Sequence, residues 1–270
     1  MSAAALSPLP GQAGCGTASA ACAGAMARDA VEPAPTNLAP AVSSLLPLLR
    51  LLQLASPALP VGAYTYSQGL EWAVESGAVR NEADAAAWIG ELLEWSLARF
   101  EAPLLAGELE AWAEGDDGEV ARLNADFLAS RETAELRAET VQMGWSLVKL
   151  LAELEAFAAL PGWRARLLAI DTPCFPTVWS AAAAAWQVPA DHALAAYLWA
   201  WAENQVMAAV KAVPLGQSAG QRLLAGRGGR IPALVESALR LPEACWSNYT
   251  PGLAIASSRH ETQYTRLFRS

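Results

Sequence analysis

Prolines and glycines divide the central part of this 270-residue chain into apolar segments of helical length. In several segments between residues 42 and 245 the apolar side chains recur at the spacing of one helix face. The segments end near helix-breaking residues such as Gly115, Pro161 and Pro189. The β-branched residues that favour strands are sparse. The sequence therefore predicts an all-α protein, a single compact bundle of roughly nine or ten helices joined by short connections.

Composition separates three regions. Residues 1–40 are rich in small residues and proline and carry almost no large apolar side chains. Burial therefore cannot offset the entropy of ordering them, and we expect a disordered N-terminal extension. Residues 41–245 form the all-helical domain. Residues 246–270 begin with a turn-rich linker and form a C-terminal tail that we expect to be flexible and to bind a partner.

The net charge, the length of the apolar runs and the cysteines indicate which kinds of partner and which compartment to expect. The formal net charge of −9 argues against nucleic acid, because phosphate binding needs a basic face. No run of apolar residues reaches the length of about 18 that a membrane span needs. The four cysteines lie far apart and form no CxxC pair, as a reduced compartment allows. We expect a cytoplasmic protein that binds neither nucleic acid nor membrane.

Groups that could carry a reaction are few. The two histidines, His192 and His260, are too few for a histidine-rich metal site or a conventional triad. The glycine-rich stretches 216–222 and 226–230 lack the GK[ST] ending of a phosphate-binding loop. Carboxylates of the long helices mostly fall on polar faces, which indicates solvated surface. We therefore expect no enzyme, no cofactor and no metal site.

The segment 259–270 combines three arginines with Tyr264, Leu267 and Phe268. Fixing its backbone costs more free energy than burying three apolar side chains returns. We therefore expect this segment to be mobile in the free protein and ordered by a partner. Lys211 is a single charged residue at the end of an apolar helix. Two explanations are open: it stabilises the end of the helix, or it contacts a partner.

Three separated motifs resemble the urease accessory protein family UreF. Residues 54–71, LASPALPVGAYTYSQGLE, resemble the signature loop of that family. Residues 209–217, AVKAVPLGQ, match a middle motif, and residues 257–270, SSRHETQYTRLFRS, resemble the C-terminus. The resemblance spans about residues 45–270 and does not include the preceding stretch.

This resemblance implies an all-α, dimer-forming chaperone without an active site. Such a protein joins UreD, called UreH in some systems, to the nickel-carrying GTPase UreG, supports GTP-dependent delivery of Ni²⁺ to apo-urease and regulates the GTPase. It also implies a UreD-facing tail of Arg259, His260, Glu261, Thr262, Gln263, Tyr264, Arg266, Leu267 and Phe268. Candidates for the dimer or GTPase-facing surface are Tyr64, Tyr66, Gln68 and Lys211.

Two other functions stay open at the level of sequence. A direct nickel carrier would use Cys245 or His260 as a thiolate or imidazole ligand. A helical enzyme would build its site from tryptophan and carboxylate residues that sequence spacing does not reveal.

Overall fold

In the part of the chain that the structure describes, side chains cap the first turn of three α-helices. The structure is a computed structural model that describes residues 45–270, so the predicted disorder of residues 1–40 lies outside the described residues. Asn81 starts one helix, because its side-chain oxygen accepts the Asp84 N–H at 3.0 Å. Asparagine is among the residues preferred at this position, so this helix start is recognisable in the sequence.

The α-helices of the described residues follow one another with short connections. They are α1 Leu45–Leu54, α2 Leu70–Glu75, α3 Glu82–Leu92, α4 Ala102–Glu114, α5 Asp117–Ala129, α6 Ala134–Glu153, α7 Glu155–Ala158, α8 Pro161–Leu168, α9 Phe175–Ala185, α10 Ala190–Ala212, α11 Gln217–Gly228, α12 Ile231–Arg240 and α13 Pro251–His260. Short 3₁₀ turns lie at Ala63–Thr65 and Glu243–Cys245. No strand occurs within residues 45–270, and the all-α class is confirmed.

The sequence predicts a kink or break at Pro103, and the structure differs. A π-helical stretch, Leu93–Glu101, joins α3 to α4, and the backbone keeps right-handed helical angles across both junctions. Pro103 follows directly on this π-helical stretch, inside a helical run that has no break. The hydrogen-bonding pattern therefore departs from that of an α-helix immediately before the proline, which has no N–H to donate.

The main core lies around α9. This helix packs on α4 and α6, while α10 packs on α11, α12 and α2. The small side chains of Ala181, Ala182 and Ala183 are fully buried, which brings α9 close to its neighbours. Trp112 and Trp179 fill the space between these helices. Among helices of the described part, none is long and apolar enough to cross a membrane.

Helix α1 is held less firmly. It buries only Leu51 and Leu54. Five further leucines are between 46% and 60% exposed, namely Leu45, Leu46, Leu48, Leu49 and Leu52. The helix is therefore joined to the domain by its C-terminal half.

Candidate docking surface

The loop between α1 and α2 is shaped by positive backbone angles. Gly62 and Gly69 adopt φ values of 84° and 77°, which glycine takes without penalty. A side chain at Gly69 would also meet Ala256 of α13, since an added Cβ would lie 3.0 Å from the Ala256 Cβ. Glycine here allows the loop and α13 to pack directly against each other.

Gln68 adopts the same left-handed region with φ 51°, although it is not glycine. Such a conformation costs about 1–3 kcal/mol and persists only when its surroundings fix it. Its amide nitrogen donates to Glu139 at 2.7 Å, and its amide oxygen accepts from the Trp201 indole at 2.7 Å. These two hydrogen bonds fix the side chain between α6 and α10.

The tail folds back onto this loop and α2. Both oxygens of Glu71 accept backbone hydrogen bonds from the tail, at 2.6 Å from Leu267 and 2.9 Å from Phe268. The Ser270 carbonyl oxygen accepts from the Ser67 N–H at 2.7 Å and from its hydroxyl at 2.6 Å. The body of the protein therefore binds the backbone at the end of this irregular segment.

Charged side chains surround the start of the tail. The buried His260 ring lies between two carboxylates, with Nδ1 2.7 Å from Glu135 and Nε2 3.2 Å from Glu71. Arg266 donates to the other oxygen of Glu135 at 2.6 Å. Glu261 accepts the first N–H groups of α6, where a negative charge is favourable. We call Glu71, Glu135 and His260 the tail seat.

The mobility that we expect of the tail stays a prediction, and in the structure the tail lies against the body of the chain. From the sequence, the entropy cost of ordering the tail exceeds the free energy gained by burying its apolar side chains. That comparison leaves out hydrogen bonds between the tail and the rest of the chain. In the structure, Glu71 and Glu135 of the tail seat provide such bonds, and these are charge-assisted. Bonds of this kind are roughly twice as strong as neutral ones.

Lys211 connects the loop and the tail. Its ammonium group lies 5.8 Å from the centre of the Tyr64 ring and 5.6 Å from the centre of the Phe268 ring. Both distances are within the range of cation–π attraction. The fold thus unites Lys211, Tyr64 and Phe268, which the sequence assigned to two separate surfaces.

The predicted partner-binding residues differ in exposure. Tyr264 is fully exposed, Leu267 is 71% exposed and Tyr64 is 63% exposed. Phe268 and Tyr66 are buried, as is His260 of the tail seat. The exposed members form the outer face, and the buried members attach that face to the body.

Sequence reasoning missed the acidic residues beneath the tail. We expected most helix carboxylates to be solvated, whereas Glu71 and Glu139 are each only 6% exposed. Glu135 and Glu139 stand four residues apart, so both face the tail from one side of α6. That spacing was the available signal, but it does not show which acids are buried.

A cavity of about 220 Å³ lies between the loop, α6 and α10. Glu101 on its wall pairs with Arg131 at 2.9 Å and accepts the Tyr197 hydroxyl at 3.0 Å. Burial raises the pKa of Glu139, also on the wall, to about 7, and hydrogen bonds from Gln68 and Ser270 only partly oppose this. Glu101 is thus bonded to Arg131 and Tyr197, and Glu139 to the loop and the tail.

The predicted metal ligands lie in different settings. Both ring nitrogens of His260 face carboxylates in the tail seat. Cys245 is an exposed free thiol in a 3₁₀ turn, and Cys174 is a buried free thiol. Across residues 45–270 no cluster of three or more His, Cys, Asp and Glu side chains could hold a metal ion.

The geometry defines a helical protein whose C-terminal segment is folded onto its own body beside an exposed aromatic loop. The sequence model of the UreF family matches residues 79–227. The urease accessory protein UreF of Azoarcus sp. (strain BH72) is 81% identical over 226 residues, which cover 84% of this chain and 97% of that protein. The chain belongs to the UreF family of urease accessory proteins.

Further relatives carry the same name. UreF of Dechloromonas aromatica (strain RCB) is 58% identical over 234 residues, covering 85% of this chain and 100% of that protein. UreF of Methylobacillus flagellatus is 50% identical over 223 residues, covering 83% and 97%. The family named from the three sequence motifs is therefore confirmed.

Proposed function

We propose that this protein is a scaffold that links UreD to the GTPase UreG and supports GTP-dependent insertion of nickel into apo-urease. In this proposal it acts in the cytoplasm as a homodimer, regulates the GTPase and carries out no reaction itself. The single observation that carries the proposal is the anchored tail, which presents exposed apolar side chains on a fixed backbone.

The tail fits a protein partner. Leu267 projects from backbone that Glu71 of the tail seat holds, and Tyr264 lies fully exposed three residues before it. A rigid segment loses little conformational entropy on binding, and aromatic side chains often dominate the energy of an interface. Arg259 and Arg269 add positive charge around these anchors on a chain of net charge −9. We assign this face to UreD.

The loop offers the second face. Tyr64 is exposed at its tip, and the Lys211 ammonium group lies beside the Tyr64 ring. An aromatic ring with an adjacent cation suits a contact with a protein surface that carries acidic groups. We assign this face to UreG or to a second copy of the chain.

The buried carboxylates support a scaffold over an enzyme. Glu71 binds the tail, Glu101 pairs with Arg131, and Glu139 joins the loop to the tail. The fourth, Glu108, accepts hydrogen bonds from two hydroxyls of α9. Each of these groups has a structural partner that accounts for its burial.

Replacing the exposed anchors tests the assignment of the tail. We expect Tyr264→Ala combined with Leu267→Ala to weaken UreD binding by about 2 kcal/mol or more, roughly thirtyfold. The thermal midpoint should change little, because both side chains are exposed. Calorimetric titration with purified UreD measures the affinity. The matched control is Tyr249→Ala, which removes a tyrosine that is 80% exposed but lies outside the segment 259–270. Unchanged affinity in the double variant would reject the assignment.

A further inference from the structure

The glycine-rich stretch 226–230 lies at the end of α11, which packs against both α10 and α3. A Cβ at Gly228 would lie 2.7 Å from the Trp199 ring of α10, so glycine allows this close approach. A Cβ at Gly90 of α3 would clash with Nη1 of Arg227. The two glycines therefore allow Arg227 to lie directly against the backbone of α3.

The arginines of this region differ in their pairing with carboxylates. Arg222 donates twice to Glu82, from Nε at 3.0 Å and from Nη2 at 2.6 Å. Arg230 pairs with Glu94. Arg227 lies between them in sequence, yet no ion pair within the described part of the chain includes it. The charge of Arg227 is therefore not balanced by a carboxylate of the described residues.

The Arg227 side chain is positioned by packing. Its Nε atom is buried and has no hydrogen-bond partner among the described residues. A buried donor without an acceptor destabilises the fold, so the position of this side chain is not explained by hydrogen bonds within the chain. A side chain that packing has already ordered loses little conformational entropy when it binds a partner.

A groove of about 360 Å³ lies between α3 and α11, and Arg227 lines it. The apolar part of its lining is formed by small or aliphatic residues, namely Ala83, Ala86, Leu223 and Gly226. The remaining lining residues, Arg222 and Glu82, neutralise each other as an ion pair. A glutamate or aspartate side chain suits this groove, because its methylene groups can contact the apolar lining while its carboxylate meets Arg227. A free phosphate has no methylene group to offer.

We propose that the groove between α3 and α11 is a docking site for an acidic segment of a protein partner, with Arg227 binding a carboxylate of that segment. Charge complementarity supports this occupant, because a chain of net charge −9 presents here a cation that its described carboxylates leave unpaired. Arginine binds carboxylates through two hydrogen bonds, as Arg222 and Glu82 do in the same groove. The groove is separate from the tail and the loop, so the inference goes beyond the proposed function.

Two variants test the role of Arg227. Arg227→Gln removes the charge, whereas Gly90→Ala keeps the charge but places a Cβ where the guanidinium group lies. The matched control is Arg80→Gln, which removes the charge of an exposed arginine just before α3. Calorimetry measures the binding of a synthetic oligoglutamate peptide to the full chain at low ionic strength, and thermal unfolding shows that each variant is folded.

We expect the affinity for oligoglutamate to fall by about tenfold or more in Arg227→Gln and in Gly90→Ala, and to stay within about twofold in Arg80→Gln. Inorganic phosphate at the same ionic strength should not displace the peptide from the wild-type chain. Equal affinity of Arg227→Gln and the wild type, or displacement of the peptide by phosphate, would overturn the proposal.

Purified UreD, UreG and apo-urease then identify the partner. At least one of them should bind Arg227→Gln about tenfold more weakly than it binds the wild type and Arg80→Gln. Unchanged affinity for all three would overturn the proposal. A change in the oligomeric state of Arg227→Gln, measured by sedimentation, would assign the groove to a second copy of the chain and also overturn it. Weakened oligoglutamate binding in Arg227→Gln, together with no binding of UreD or UreG to the wild type, would support the groove and reject the proposed function.

Discussion

Helix α1 has regular structure but few buried side chains, whereas the irregular segment 261–270 is attached to the body of the protein by hydrogen bonds. The first is a regular helix, yet it buries two leucines and exposes five. The second contains neither helix nor strand, yet backbone and side-chain hydrogen bonds attach it to α2, α6 and the loop. Secondary structure alone does not fix a segment to the body; complementary groups across the contact do.

The two segments also differ in the partner they require. The exposed side of α1 consists of leucines, which bury against another apolar surface without directional bonds. The tail is held by charges and hydrogen bonds of defined geometry, which fix the positions of the residues that make them. The tail is thus suited to presenting particular side chains, and α1 to nonspecific apolar contact.

Among the variants compared with α1, removal of the Glu71 side chain should cause the largest loss of stability. Glu71→Ala takes away the acceptor of two tail N–H groups and one neighbour of the buried His260 ring. We expect a loss of about 2–6 kcal/mol of unfolding free energy, because two N–H groups of the tail lose their acceptor at a cost of about 1–3 kcal/mol each. Denaturant unfolding measures it. Glu75→Ala, an exposed residue of the same helix, is the control. An exposed ion pair contributes less than about 1 kcal/mol to stability. A loss below that value would show that the tail, like α1, is only weakly attached to the domain.

A change of pH should have an intermediate effect through Glu139. The pKa of this buried carboxyl is raised from 4.5 to about 7. Between these values the unfolded chain releases the proton and the folded chain keeps it, so stability falls as pH rises. The slope from this group is at most about 1.36 kcal/mol per pH unit.

The variant Glu139→Gln should lose this contribution and gain stability relative to the wild type from pH 5 to pH 7. Urea unfolding at several pH values measures the difference. Glu153→Gln, an exposed residue near the end of the same helix, should follow the wild type. Parallel curves for Glu139→Gln and the wild type would show that the acid beneath the tail is ionised throughout.

Polar substitution on α1 should have the smallest effect. Leu48→Gln and Leu49→Gln replace leucines that are 46% and 60% exposed, so we expect changes within about 0.5 kcal/mol. Leu54→Ala, at a position only 3% exposed, should cost about 2–5 kcal/mol. Thermal unfolding compares the three variants. A large loss from either exposed position would show that the outer side of α1 is covered within the folded chain.

Local signals predicted much of the fold. The Asn81 cap and the glycine at the end of α4 mark helix ends in the sequence and in the structure. The response to Pro103 was not predictable, because it depends on hydrogen bonding in the preceding π-helical turns. The position of the tail was not predictable either, because Glu71 and Leu267 are 196 residues apart in sequence.

The sequence predicted which segments form the candidate site, but it did not predict how they contact one another. The three motifs identified the loop, Lys211 and the tail. Their contact depends on buried acids, and the burial of an acid is decided by the packing of distant helices. Glu139 has no sequence feature that shows it to be buried while Glu153 of the same helix is exposed.

Gly69 has no Cβ, which allows α13, the helix that leads into the tail, to pack directly against the loop. A Cβ at Gly69 would press on the Ala256 side chain and on the Ser257 backbone nitrogen at 3.1 Å, and the positive φ of Gly69 would add strain. Helix α13 would have to shift outward, and His260 lies one turn beyond Ser257 on that helix. Substitution of an uncharged glycine would thus disturb an ion-pair network that the glycine never touches.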